Sequence, residues 1–117
     1  MRARIDEIVF DCHDPARLVR FWAAVLGGDP VDREDDWSYV DPPECMRVAF
    51  QRVPEGKAAK NRLHLDIDAG DVVAAAAEAV RLGATRVGGV MTDEHGRFQV
   101  LQDPEGNEFC FVAALDG

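Results

Sequence analysis

The chain carries the same strand-then-helix pattern twice, and this repeat constrains the fold more than any other feature of the sequence. The run "EIVFD" at 7–11 is followed by Asp14, and the run "HLDID" at 64–68 is followed by Asp71. The segments "VLGGDPV" and "RLGATRV" then end two helical patterns in the same way. Apolar positions of one half fall on apolar positions of the other, so the sequence predicts an internal duplication.

The first half begins with a strand and a well-marked helix. The run "RIDEIVFDC" at 4–12 has the alternation of a strand. A helix is predicted after it because Asp14 suits the N-cap and Pro15 the first helical position, while Gly27 and Gly28 suit its end. The predicted apolar stripe of this helix consists of Leu18, Phe21, Trp22 and Val25.

Two further strands, "WSYV" and "CMRVAFQRV", complete the first half around the turn "DPPE". A polar loop, "PEGKAAKN" at 54–61, follows them. The second half then reads as the strand "RLHLDID", a helix from Asp71 to Gly83, and three strands, the last two joined by the tight turn "DPEG". The first half is therefore one strand short, unless its fourth strand lies in the polar loop.

Two such modules can curl their sheets around a shared hollow, with the helices outside. We therefore predict an α+β fold of two βαβββ modules curling around one cleft, in a single domain over 1–117 with modules at about 4–56 and 61–114. The residues expected under the helices are Ile8, Phe10, Val48, Phe50, Leu65, Ile67, Phe109 and Phe111. The residues expected to face the cleft are Glu7, Val9, Asp11, Arg47, Ala49, Gln51, His64, Asp66, Glu108 and Cys110.

The composition argues against several classes of partner. Thirteen basic and 22 acidic side chains give a formal charge of −9, whereas nucleic acids and anionic membranes attract basic patches. Three cysteines without paired spacing argue against a disulfide framework, and no apolar run approaches the roughly 18 residues that cross a bilayer. The N-terminal segment has no signal-peptide pattern. We expect a cytoplasmic protein with neither nucleic-acid nor membrane partners.

Nucleophilic and phosphate-binding motifs are missing from the sequence. The segment "RVGGV" has neither the spacing nor the lysine of a phosphate loop. Ser38 is the only serine, and no G-x-S-x-G elbow surrounds it. Hydrolysis through a serine nucleophile is therefore not indicated.

A family resemblance rests on four segments. The strand "RIDEIVFDC", the helix "DPARLVRFWAAVLG", the strand "LHLDI" and the closing run "VLQDPEGNEFCFV" resemble the vicinal oxygen chelate superfamily, which includes glyoxalase I, bleomycin-resistance proteins and extradiol dioxygenases. The run "FQRVPEGKAAKNRLHLDI" is similar to the glyoxalase-like subgroup. The resemblance covers residues 4–113. It implies a cleft that binds a small molecule, and a homodimer.

The same resemblance implies metal positions, which this chain fills poorly. Metal-dependent members present four inward histidines and glutamates, two from each half. The matching positions here carry Glu7, His64 and Cys110, with the fourth near Ala49 or Gln51. A Glu, His and Cys set can bind zinc, but a free cysteine in an apolar run is more often a small core residue. No metal is predicted; if one binds, Glu7 and His64 are its expected ligands.

Six residues are predicted to contact a ligand: Glu7, Trp37, Gln51, His64, Asp66 and Cys110. His64 could act as acid, base or hydrogen-bond donor, with Glu7 orienting it, or the two could form a structural hydrogen bond. Asp66 could set the His64 tautomer or be solvated. Trp37 and Tyr39 could stack on a ligand ring or cap the open end of the sheet. His13 and His95 are expected at the surface.

Two functions follow from these observations. The first is a glyoxalase-like protein that binds a small organic ligand between the two sheets, with no cofactor and without the usual metal. The second is a divalent-metal-dependent lyase, isomerase or dioxygenase of the same superfamily. The departures at Cys110 and Gln51 favour the first function.

Overall fold

The computed structural model describes Arg2 and residues 5–54, 63–94 and 96–114. The predictions for His95 and for the polar loop after Pro54 lie outside the described residues. The chain divides into two compact units, residues 1–56 and 57–117. Each unit has one helix packed on one face of a four-stranded sheet, which confirms an α+β fold of two βαβββ modules. Neither helix in the described residues is long and apolar enough to cross a membrane.

The first unit contains the elements β1 Glu7–Cys12, α1 Pro15–Leu26, β2 Val31–Glu34, β3 Trp37–Val40 and β4 Arg47–Arg52. Its strand order is β1-β4-β3-β2, with β1 parallel to β4 and the other neighbours antiparallel. The fourth strand, which the sequence left unplaced, is β2. It lies before "WSYV". The sequence hides it because all of its residues are exposed, so no apolar alternation marks it.

The second unit contains β5 Leu65–Asp68, α2 Val72–Arg81, β6 Thr85–Thr92, β7 Gly96–Gln102 and β8 Glu108–Ala114. Its strand order, β5-β8-β7-β6 with β5 parallel to β8, repeats the topology of the first unit. The edge strand β6 bulges between Val87 and Met91, where the sequence has Gly88 and Gly89. A buried side chain, Gln99, donates hydrogen bonds across this bulge.

Both helices begin where their capping residues predict. The Asp14 carboxylate accepts a hydrogen bond from the Arg17 backbone N–H at 3.2 Å, and Asp71 accepts one from Ala74 at 3.0 Å. Each bond satisfies one of the backbone donors that a helix start leaves unpaired. Helix α1 ends at Gly27, whose φ of 91° suits a residue without a Cβ.

The core of each unit lies between its helix and its sheet. In the first unit, Phe10 stacks against Trp22 and Phe50 at centroid distances of 5.8 and 5.6 Å. In the second, Phe109 and Phe111 pack edge to face at 5.4 Å. These residues lie on the strand faces predicted to be under the helices, and the paired strand registers confirm that alternation.

Helix α2 buries much smaller side chains than α1. Its buried residues are Val72, Ala76 and Ala79, whereas α1 buries Leu18, Phe21 and Trp22 among others. Small side chains let a helix approach its sheet closely, so the second core depends on the large phenylalanines of β8.

Candidate functional site

The sheet face of the first unit that points away from α1 carries three of the predicted ligand contacts. The strand registers align Asp11, Gln51, Trp37 and Glu34 in one row across β1, β4, β3 and β2. Glu7 lies on the same face, opposite Arg47. The open face of the first unit is therefore a polar and aromatic surface, as the alternation predicts.

One predicted member of this face is not available for contact. Ala49 pairs with Val9 and Tyr39 in the neighbouring strands, and its exposed fraction is 0%. Its methyl group is too short to project past its larger neighbours. Ala49 therefore lies on the predicted sheet face, and its buried methyl group adds no exposed surface there.

A single arginine holds together much of this face. The Arg47 guanidinium donates two hydrogen bonds to the Asp41 carboxylate, at 2.8 and 3.1 Å, and lies 3.8 Å from the centroid of the Tyr39 ring. Hydrogen bonding to Asp41 raises the pKa of Arg47, and the charges of Asp41, Tyr39 and Glu7 raise it further. Glu7 thus faces a fixed cation, which competes with any metal for its carboxylate.

Trp37 lies beneath a second arginine. The Arg33 guanidinium is 4.7 Å from the centroid of the indole ring. The Trp37 Nε1 atom is shielded from solvent and has no hydrogen-bond partner among the described residues. Gln51 is directly opposite Trp37 on β4 and is exposed. In the structure, the ring that was expected to stack on a ligand is therefore covered by a cation.

The second unit has a cavity on the sheet face that points away from α2. Its volume is about 460 Å³, and all three predicted contacts of this unit, His64, Asp66 and Cys110, line it. The further lining residues are Asp93, Gly96, Arg97, Phe98, Val112, Ala113 and Ala114. The cavity therefore combines an apolar floor with charged and polar side chains.

His64 and Asp66 form the polar side of this cavity. His64 Nε2 lies 3.5 Å from Asp66 Oδ1, and both side chains are 58% exposed. Exposed pairs of this kind contribute little to stability. Their donors and acceptors are therefore available to a ligand rather than committed to the fold.

Cys110 lies opposite Asp66 in the β5–β8 register. Burial raises the pKa of the Cys110 thiol, and the negative charges of Asp66 and Glu108 raise it further. A protonated thiol is a weak nucleophile. Cys110 therefore contributes shape and polarisability to the cavity wall rather than reactivity.

The apolar surface extends from the cavity toward the sheet edge. Phe98 and Val100 of β7 pair with Met91 and Val87 of β6 on this face. Met91 and Val87 are 56% and 42% exposed, which is high for apolar side chains on a sheet. This surface gives a planar apolar group a place to lie beside the polar pair.

The metal positions implied by the family resemblance do not fit a metal within either unit. The described residues contain no group of three His, Cys, Asp or Glu side chains arranged to share an ion. Glu7 faces Arg47, and Ala49 offers only a methyl group. This donor set lacks the ligands that zinc and the other divalent metals require.

Several residues at these surfaces were missed from the sequence. Phe98 could have been predicted from the sequence. The "DPEG" hairpin pairs Val100 with Cys110, and Phe98 lies two positions before Val100 on the same strand face. The position of Arg33 could not be predicted from the sequence, because Arg33 is the extra residue of a bulge in β2. Asp93 lies in the β6–β7 connection, where alternation gives no guide, and Arg97 is the second residue of β7 beside it.

Comparisons with known proteins agree with this architecture. A family model described as "Glyoxalase-like domain" matches residues 7–112. A search of curated proteins found no significant match.

Solved structures share the fold over nearly the whole chain. A glyoxalase/bleomycin resistance protein/dioxygenase family enzyme from Burkholderia phytofirmans has a TM-score of 0.79 at 21% identity, covering 97% of this chain and all of that one. The fosfomycin resistance protein FosX from Mesorhizobium loti has a TM-score of 0.75 at 20% identity, covering 98% and 95%.

A third structure is a bleomycin-binding protein from Streptomyces verticillus in complex with copper(II)-bleomycin. Its TM-score is 0.67 at 22% identity, covering 98% of this chain and all of that one. At these identities the likeness concerns the fold alone. The match over residues 7–112, on two βαβββ units, establishes that the chain belongs to the glyoxalase-like domain family.

Proposed function

We propose that this glyoxalase-like protein binds a small organic ligand without the usual metal. His64, Asp66 and Cys110 contact the ligand in the cavity of the second unit. Glu7, Trp37 and Gln51 form the ligand-facing surface of the first unit. The observation that carries the proposal is the cavity itself, which combines a polar pair with an apolar floor.

The volume and lining of the cavity favour a ring-bearing molecule. Ligand pockets commonly measure about 300–1,000 Å³ and combine apolar walls with a few polar groups, and the cavity of about 460 Å³ fits that description. Phe98 and Val112 offer surface to an aromatic or heterocyclic ring. His64 can donate or accept a hydrogen bond, and Asp66 accepts one. The ligand class is therefore a planar heterocycle with a polar edge.

The expected affinity is modest. A ligand of about fifteen heavy atoms, at roughly 0.3 kcal/mol per atom, gains about 4.5 kcal/mol on binding. That corresponds to a Kd of about 0.5 mM. At 5 mM such a ligand raises the unfolding free energy by about 1.4 kcal/mol, which is roughly 4–6 °C in Tm.

The test is a thermal-shift screen of aromatic heterocycles at 5 mM against protein kept in chelator. Val112→Trp, which fills the cavity, is expected to abolish the shift given by any hit. Val73→Trp places the same ring on an exposed position of α2 and is the matched control, which should leave the shift unchanged. Hits that shift both variants equally would contradict binding in the cavity.

Elemental analysis separates this proposal from a metal-dependent enzyme. We expect protein purified without chelator to contain far less than one equivalent of Zn, Ni, Fe or Mn. One equivalent that is lost in His64→Ala would overturn the metal-free proposal. It would favour a metal-dependent lyase, isomerase or dioxygenase instead.

A further inference from the structure

The bulge in β2 places a cation over an aromatic ring. Asp32 pairs with Ser38 and Glu34 pairs with Trp37, which leaves Arg33 as the extra residue between them. The extra residue of a bulge is unpaired, and bulges often re-aim a side chain. Here the Arg33 guanidinium lies 4.7 Å from the centroid of the Trp37 ring, within the range of a cation–π contact.

Arg33 is held more loosely than the other arginines that lie against acids in this unit. Its Nε is 3.7 Å from Glu34 Oε1, beyond hydrogen-bond distance, and its side chain is 51% exposed. By contrast, the Arg47 and Arg20 guanidinium groups each donate two hydrogen bonds, to Asp41 and Asp32 respectively. The indole face and one long ion pair are therefore the contacts that hold the Arg33 guanidinium, and another cation can displace it from the ring.

The surroundings of Trp37 favour positive charge. The row across the sheet places Glu34 on one side of Trp37, and Gln51 and then Asp11 on the other. Neighbouring strands lie about 4.8 Å apart, so this row spans the length of a small organic molecule. A carboxylate at each end and an indole face between them form an electron-rich surface.

The indole nitrogen adds a second, directional contact. Trp37 Nε1 is shielded from solvent and has no acceptor among the described residues. A shielded donor without a partner costs about 1–3 kcal/mol. A ligand whose hydroxyl or carbonyl oxygen reaches Nε1 in the plane of the ring would relieve this cost.

We infer that the face of Trp37 is a binding site for the ammonium or guanidinium group of a small organic cation, and that Arg33 occupies this site in the unliganded protein. The ligand that fits carries a hydrogen-bond acceptor close to its charge. This inference deepens the proposed function at Trp37, which that proposal places on the ligand-facing surface of the first unit. Its test reads the Trp37 signal alone, so it can fail while binding in the cavity of the second unit holds.

The effect of Arg33 on affinity follows from the strength of its ring contact. An exposed cation–π contact is worth about 0.5–1 kcal/mol, so Arg33 covers the ring about 70–85% of the time. Apparent affinity scales with the fraction of protein whose ring is uncovered. Removal of the Arg33 guanidinium is therefore expected to tighten the binding of a cation about three- to sixfold.

The experiment uses the indole N–H signals of the ¹⁵N-labelled full chain. The chain has two tryptophans, and Trp22 is a buried internal control in the core. The probe is choline, and its neutral analogue is 3,3-dimethylbutan-1-ol, which has the same shape without the charge. Ionic strength is held constant, and Trp37→Phe assigns the signal.

Choline is expected to shift the Trp37 signal saturably in the millimolar range, while Trp22 stays in place and the neutral alcohol moves neither. Arg33→Ala should tighten choline binding about three- to sixfold. Arg17→Ala removes the same charge from an exposed position of α1 and should change affinity little. The inference is overturned if choline leaves Trp37 unmoved, if the alcohol acts equally, or if Arg33→Ala fails to tighten binding.

Discussion

The buried amide of Gln99 offers the sharpest test of what holds the bulge of β6. Its side chain is 2% exposed. Its Nε2 donates to the carbonyl oxygens of Val100 at 2.8 Å and Gly88 at 3.1 Å, with a longer contact to Val87 at 3.4 Å. These bonds hold the bulge of β6. Gln99→Leu keeps a similar volume and removes the two donors.

The magnitude follows from the two shorter bonds. Each is worth about 1 kcal/mol net. The Gly88 carbonyl lies on the exposed strand β6, where water can replace its lost partner. We therefore expect Gln99→Leu to lower the free energy of unfolding by about 2 kcal/mol, or roughly 6–10 °C in Tm for a domain of this size.

Urea unfolding followed by circular dichroism measures this difference. The matched control is Gln102→Leu on the same strand, a half-buried side chain on the opposite sheet face. It should change the unfolding free energy by less than about 0.5 kcal/mol. Equal stability of the Gln99 and Gln102 variants would refute the role of the amide.

A second variant at this position adds a pH signature. In Gln99→Glu, burial and the surrounding carbonyls would raise the pKa of the carboxyl above its unfolded value of about 4.3. The folded state is then favoured with the proton bound, so this variant should be most stable below about pH 4 and lose stability as the pH rises. A variant whose stability instead rises through that range would contradict the buried, carbonyl-lined environment.

Three further outcomes are expected. Iodoacetamide should alkylate the exposed Cys45 faster than Cys110, because burial and nearby acids raise the pKa of the Cys110 thiol. Peptide mapping at successive times measures the two rates. Hydrogen bonding to Arg20 lowers the pKa of Asp32, so the ionised carboxylate stabilises the fold at pH values above its unfolded pKa near 3.8. This contribution is lost as the pH falls through the lowered folded-state pKa, and the unfolding free energy of Asp32→Asn should therefore depend less on pH in this range. Asp103, the first residue of the "DPEG" turn, is 3% exposed and accepts hydrogen bonds from the backbone N–H groups of Glu105 and Asn107. Asp103→Ala should therefore lower the unfolding free energy by about 3 kcal/mol in a urea titration.

Much of the fold could be predicted from the sequence because the helix starts and strand faces depend on residues close together in the chain. Asp14 and Asp71 mark the helix starts through bonds to backbone groups three residues away. The alternation of "EIVFD" and "HLDID" assigned the two faces of β1 and β5, since a strand side chain can only point one way or the other. The fold family followed from the same elements and their turns.

The strand β2 illustrates where such reading fails. Its four residues are exposed and include only one apolar side chain, Val31. A strand at the edge of a sheet is held by backbone hydrogen bonds to its neighbour, here β3, which leave no trace in side-chain pattern. The extra residue Arg33 follows from that pairing, so its position over Trp37 was equally hidden.

The sequence thus determined the two copies of one module and their helix boundaries. It also placed His64, Asp66 and Trp37 on the sheet faces that point away from the helices. Each of these features depends on residues that are neighbours along the chain. The remaining features of the site were decided by contacts between strands that are distant in the sequence. The pairing of Arg47 with Tyr39 and Asp41, the cavity around Cys110 and Phe98, and the cation over the indole all require a register, and a register exists only once distant strands have paired.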